Sequence, residues 1–90
     1  MNRAITSAIQ NQRTLTFNYH GERRTVEPHC YGTDSKGHEA LRAYQTGGKG
    51  WRLFHLSDVV GLVDVGESFD GPRPDYIRND NGMTQTYAQL

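Results

Sequence analysis

Ninety residues carry ten basic and ten acidic side chains, a net charge of zero and 34% hydrophobic residues, with a mean hydropathy of -0.78. Such a chain makes one domain with a thin core, because it buries only about 60–65% of its unfolded surface, which excludes a large enzyme core. Neutrality argues against non-specific coating of duplex DNA, the single cysteine excludes an internal disulfide framework and fits a reducing cytoplasm, and no segment reads as a signal peptide or membrane span.

The chain opens with a helix. Ala4, Ile5, Ala8 and Ile9 share one stripe at helical spacing, which predicts a helix over residues 3–10 with Asn2 as its cap and Asn11 as its stop. The period then changes. Leu15, Phe17 and Tyr19 alternate with Thr14, Thr16 and Asn18, the pattern of a half-buried strand. His20-Gly21-Glu22 is a turn. "RRTVEPHCYG" is the second strand, in which Pro28 marks an edge or a bend. "TDSKG" is a hairpin loop, "EALRAYQ" and "WRLFHL" are the third and fourth strands, "SDVV" is a tight turn and "GLVDV" is a short fifth strand.

After Phe69 the composition shifts to Pro, Gly, Asn and Asp, which reads as an irregular tail. Met83, Tyr87 and Leu90 share one helical face, so the chain is expected to close with a helical turn. One helix followed by five closely spaced strands predicts a mainly β fold, a small five-stranded barrel. The expected division is a barrel domain over 1–69 and a tail over 70–90.

Charge is unevenly spread. Residues 13–52 hold seven basic side chains against four acidic ones, and from Asp58 onward six acids face Arg73 and Arg78. A basic half points to an anionic partner. The stretch "LRAYQTGGKGWRLFHL" places an arginine in each of two strands around a glycine loop. With the loop at Thr46–Gly50, Ala43 faces Leu53 on the inner side. Tyr44 beside Arg52 and Arg42 beside Phe54 then share the outer side. Arg24 adds a third cation from the neighbouring strand. The expected anion patch is therefore Arg24, Arg42, Tyr44 and Arg52, with His29 at its rim; Arg73, in the tail, is expected to contribute little. A slip of one residue would send the two hairpin arginines to opposite faces from Tyr44 or Phe54, and Phe54 and Leu56 could equally be core in a strongly bent strand. The competing assignment makes Arg42 and Arg52 surface residues paired with Glu27 or Glu39.

Over Ile5 to Phe69 the sequence resembles the WYL domain family. The resemblance rests on "LTFNYHGERRTVEPHCYG", "ALRAY", "WRLFHLSDVVGL" and "GESF". Its most specific parts are the element Arg24, Val26, Glu27, Pro28 and the element Arg52, Phe54, Leu56, Val59. It implies an Sm-like five-stranded barrel behind a helix and a ligand-sensing regulatory role, with nucleic acids or nucleotide-like anions as ligands. Members usually follow a winged helix-turn-helix in bacterial transcription factors, often near phage-defence genes. The three residues that name the family align with Glu39, Ala40 and Leu41, so only the leucine survives. One short helix precedes the barrel, which implies a standalone module whose output passes through a partner protein.

Other chemistries find little support. "TGGKGW" lacks the spacing of a phosphate-binding P-loop and has no following helix; Lys49 there is a solvated turn residue that can still touch an anion. His20, His29, His38 and His55 show no metal-ligand spacing, so no metal or cofactor is expected. Cys30 is a small buried residue, and His29 beside it should point to the opposite face. Nothing places a histidine near Ser57-Asp58, so no enzyme is expected. Trp51 and Tyr31 can be core or stacking surface, with the core expected for Trp51, and Tyr44 is open between the two. The expectation is thus a cytoplasmic sensing module that binds a nucleotide or single-stranded nucleic acid and acts through a partner effector protein. Its rival is a protein–protein interaction module that forms a homodimer through the barrel edge.

Overall fold

The computed structural model describes residues 2–48, 50–78 and 82–90. In chain order the elements are α1 (Arg3–Gln10), β1 (Arg13–Tyr19), β2 (Glu22–Asp34), β3 (Glu39–Gln45), β4 (Gly50–His55), a 3-10 turn (Leu56–Asp58), β5 (Val59–Ser68) and β6 (Met83–Gln89). The Asn2 side chain accepts from the backbone N–H of Ile5 at 3.2 Å and so starts α1, and Asn11 closes it. Ile5, Ala8 and Ile9 are buried as their spacing predicts, while Ala4 is exposed.

β1 and β2 are joined by His20 and Gly21, with φ of 49° and 78°. Two successive positive φ values make the type I′ turn, whose twist suits a two-residue hairpin. Leu15 then opposes Val26, and Phe17 opposes Arg24. On β1 the alternation of Leu15, Phe17 and Tyr19 is the core face. Phe54 of β4 joins it, with ring centroids 5.1 Å from Phe17 and 5.0 Å from Tyr19, both edge-on. α1 lays Ile5 and Ile9 on this face, and each fully buried side chain of that size contributes about 1.5–3 kcal/mol.

The 13 residues of β2 are the spine of the sheet. β3 runs along one edge of β2. The other edge is shared: β1 pairs with Glu22–Val26, and β6 pairs with Cys30–Asp34. Between the two lies a β-bulge at His29, because Pro28 opposes Ala43 while Cys30 opposes Arg42. Pro28 has no N–H to give to a ladder, and the extra residue bends the strand, as the proline predicts.

The sheet order is β4-β3-β2-β1-β5, with β6 beside β2. The fold is mainly β behind a short helix, as expected, but the expected closed five-stranded barrel is not formed. No pairing joins β4 to β5 among the described residues, so the sheet is curved and open, and it has a sixth strand. Residues 69–78 are irregular, as their composition predicts, whereas Met83–Gln89 is a strand and not a helical turn; Asn79 to Asn81 lie outside the described residues. The helical spacing of Met83, Tyr87 and Leu90 loses to tertiary pairing. β1 leaves half of one β2 edge open, and the β-branched Thr84 and Thr86 fit a strand there.

β6 sits close on β2. A Cβ added at Gly32 would meet the Gln85 carbonyl oxygen at 2.0 Å, so Gly32→Ala must push β6 away. The expected loss is about 1–3 kcal/mol, the range for overpacking, with a Tm lower by about 4–8 °C for each kcal/mol in a domain of this size. Thermal denaturation followed by circular dichroism measures it, and an unchanged Tm would argue against this docking of β6.

Candidate functional site

Cross-strand neighbours line up Glu27 of β2, Tyr44 of β3 and Trp51 of β4 on the outer face of the sheet, away from the core. Arg42, opposite Cys30, belongs to the same face. Residues 69–78 fold back across it. Arg73 forms a two-pronged ion pair with Glu27, at 2.8 and 3.0 Å, and its guanidinium lies 3.9 Å from the Tyr44 ring centroid. The Trp51 indole N–H donates to Asp75 at 2.7 Å, and the rings of Trp51 and Tyr76 stack at 5.9 Å.

His29 holds this arrangement from beneath. The bulge turns its ring under the tail, where it is fully buried against Trp51, Phe69 and Tyr76. Its Nε2 accepts from the backbone N–H of Arg73 at 3.1 Å, which assigns the proton to Nδ1, and Nδ1 then donates to the Glu27 carbonyl at 2.8 Å. Burial lowers the His29 pKa, with the Arg73 charge adding to the effect against the opposing pull of Glu27. Tyr76 donates to the His29 carbonyl at 3.3 Å. Burial, then its contact with Cys30, pushes the Tyr76 pKa up to about 12. His29 and Cys30 were expected on opposite faces. The bulge instead sets both against Tyr76, because an inserted residue breaks the strict alternation of a strand.

The predicted patch is divided. Tyr44 opposes Trp51, Ala43 opposes Arg52, and Leu41 opposes Phe54, one residue out of step with the expected register. Arg42, Tyr44 and His29 therefore share the outer side. Arg24 and Arg52 lie on the core side of the sheet, since they oppose Phe17 and Ala43. Arg24 is buried there. It donates to Gln45 at 3.2 Å and to the Tyr19 carbonyl at 3.3 Å, and it lies 3.8 Å from Glu22. Arg52 is exposed, 6.0 Å from the Phe54 ring centroid. The register slips because Gly50 begins β4 and Phe54, not Leu53, fills the core. Lys49 lies outside the described residues.

Arg73 was expected to be marginal, yet it is the anchor of the tail. The "PRP" stretch signals a stiff extended segment but not where it docks. Trp51 is half-buried under the tail and not in the core, whereas Tyr31 is fully buried, its hydroxyl donating to Glu39. Glu27, expected as a partner of Arg42 or Arg52, is instead bound by Arg73. Beside the tail runs a groove of about 240 Å³ lined by Arg42, Trp51, Asp75, Tyr76 and Ile77. This is below the roughly 300–1,000 Å³ of drug-sized sites. A larger groove of about 460 Å³ passes Glu27, Phe69, Asp70 and Arg73, with the Arg73–Glu27 ion pair in its wall.

An open, antiparallel β-sheet behind one helix, with an aromatic and cationic groove on its outer face, is the class of domain that these features define. Among solved structures it is similar to part of proteasome accessory factor B/C (PafBC) of Arthrobacter aurescens, with a TM-score of 0.71 and 26% sequence identity over 82% of this chain. The chain spans only 13% of the length of that protein. No protein-family model matches the sequence, and no curated protein matches it.

Two outcomes follow from the tail contacts. Arg73→Ala removes both prongs to Glu27 and the contact with Tyr44, and should cost about 1–2 kcal/mol once solvent screening of a part-exposed arginine is allowed for. Trp51 is the single tryptophan, so its emission should move to longer wavelength as the tail lifts; unchanged emission would mean that the tail holds without Arg73.

His29 links this contact to pH. Its folded pKa lies below the ordinary 6.5, so the unfolded chain binds the proton more readily. The stabilisation is complete above about pH 6.5 and is lost as pH falls from there through the lowered folded pKa. Urea unfolding at several pH values should show a shallower loss of stability below pH 6.5 in His29→Asn than in the wild type. Parallel pH profiles would remove His29 as the cause.

Proposed function

We propose that this chain is a regulatory, ligand-sensing module of the WYL type that takes a nucleotide, or the end of a single-stranded nucleic acid, in the groove between β3, β4 and the tail. The observation that carries this reading is Arg42 beside the stacked rings of Trp51 and Tyr76, at an interplanar angle of 25°. A base stacks on an aromatic platform of this kind, and a guanidinium holds its phosphate. Asp75 adds an acceptor for an exocyclic amino group. The motif resemblance supports a regulator, and the likeness to an accessory factor fits a module that works through a partner protein. In this proposal the chain acts in the cytoplasm by binding and not by catalysis, in a setting such as phage defence.

A second reading rests on a different observation. The sheet is open, and on its end strand β5 Val60 and Val65 are 65% and 51% exposed. Exposed strand edges invite pairing, so a homodimer through β5 would make the chain an interaction module. Salt separates the two, because anion binding weakens steeply with salt and an apolar interface does not.

The deciding measurement is a fluorescence-anisotropy titration of labelled mononucleotides and short single strands, with circular dichroism as the folding control. Arg42→Ala and Trp51→Ala should each weaken binding by about tenfold or more, while Arg52→Ala, on the other side of the sheet, should change little. Loss with Arg52→Ala alone would move the ligand to the core side. No binding at low salt, together with a dimer by light scattering, would favour the interaction module.

A further inference from the structure

The turn between β2 and β3 carries a cluster that plays no part in the groove. Asp34 ends β2, His38 follows in the turn, and His55 ends β4 opposite Ala40. The Asp34 carboxylate is buried and fixed. Its Oδ1 accepts from the backbone N–H groups of Lys36 and His38 at 3.0 and 2.9 Å, which leaves Oδ2 for the two imidazoles. Oδ2 lies 3.7 Å from His38 Nδ1 and 3.4 Å from His55 Nε2.

Both are longer than ordinary N–H···O hydrogen bonds, which centre on about 2.9–3.0 Å. The 3.4 Å separation is that of two ligands on one ion, and the 3.7 Å separation is slightly longer. Nitrogen and oxygen donors at about 2.0–2.1 Å from a tetrahedral centre are about 3.3–3.4 Å apart. All three donor atoms lie within 4.8 Å of one another. The carboxylate is the rigid member. His38 is exposed and His55 half-buried, so both imidazoles have room to rotate toward an ion.

We propose that Asp34, His38 and His55 form a binding site for one divalent first-row transition ion of the Zn²⁺ class. Two imidazoles and one carboxylate are the donor set such ions favour over Ca²⁺ or Mg²⁺, which prefer oxygen. Three protein ligands leave a coordination position open, and beside His38 a groove of about 350 Å³, walled by Glu39, Leu56 and Ser57, gives access to it. A bound ion ties the β2–β3 turn to the end of β4. Sequence spacing hides the site, because the third ligand reaches the turn only through the pairing of β3 with β4.

The test uses the tag-free full chain stripped of metal by a chelator. Titration with Co²⁺ should produce the visible absorption of a four- or five-coordinate centre, saturating at one ion per chain and reversed by Zn²⁺. Zn²⁺ should also raise the Tm, since it binds the folded state. His55→Gln and Asp34→Asn should each weaken Co²⁺ binding by at least about tenfold; the asparagine keeps the Oδ1 acceptor of the turn. His20→Gln, whose ring pairs with Asp58 elsewhere, should bind as the wild type does. No saturable spectrum, a spectrum of solvated Co²⁺ only, or wild-type affinity in both His55→Gln and Asp34→Asn would overturn the proposal.

Discussion

The β-bulge at His29 is the constraint on which the rest of the structure depends. A strand as long as β2 would otherwise run straight through the domain and offer one partner along each edge. The proline before the bulge cannot complete a ladder, and the inserted residue bends the strand. β1 can then pair with the first half of β2 while β6 takes the second half. α1 and the core lie inside the resulting curve, with Ile5, Phe17 and Phe54 at their centre. The same insertion removes His29 from ordinary alternation and delivers its ring to the outer face, beneath the tail.

Charge on that outer face is organised around one buried, neutral imidazole. Each nitrogen of His29 has a definite task, one donating to Glu27 and the other accepting from the Arg73 backbone. Arg73 completes the circuit by binding the Glu27 carboxylate and covering Tyr44. Residues 69–78 lack regular structure, and side-chain contacts of this kind, with the Phe69 N–H bond to the Gln12 carbonyl, hold them. Such contacts contribute less than a continuous core and respond to pH and salt. A segment held in this way opens more readily than one held by a continuous core.

The two sides of the sheet treat their arginines differently. Arg24 is buried on the core side, against Gln45 and the Tyr19 carbonyl. Arg42 lies in the groove beneath the tail. The proposed ligand site and the proposed ion site are built on the same β3–β4 hairpin: Trp51 contributes to one and His55 to the other. Contacts at either end bear on one pair of strands, which is the arrangement a regulatory domain needs if occupancy is to be read elsewhere.

The helix at residues 3–10, its Asn2 cap, the four strands before the 3-10 turn and the bend at Pro28 were legible in the sequence, because local periodicity, capping and turn chemistry act over a few residues. The resemblance to the WYL family rested on those same local motifs. Three features were decided only by tertiary structure. β6 formed because β1 left an edge of β2 open, a vacancy that no property of "MTQTYAQL" announces. The register of β3 with β4 was set by which side chain filled the core, Phe54 in place of Leu53, and a shift of one residue reverses every face. That shift separated Arg52 from Arg42 and divided the predicted patch. Arg73 and Asp34 gained their roles from partners far along the chain, Glu27 for one and His55 for the other. Residue type and spacing specify what a side chain can do, but which distant groups it meets depends on packing that the chain settles as a whole.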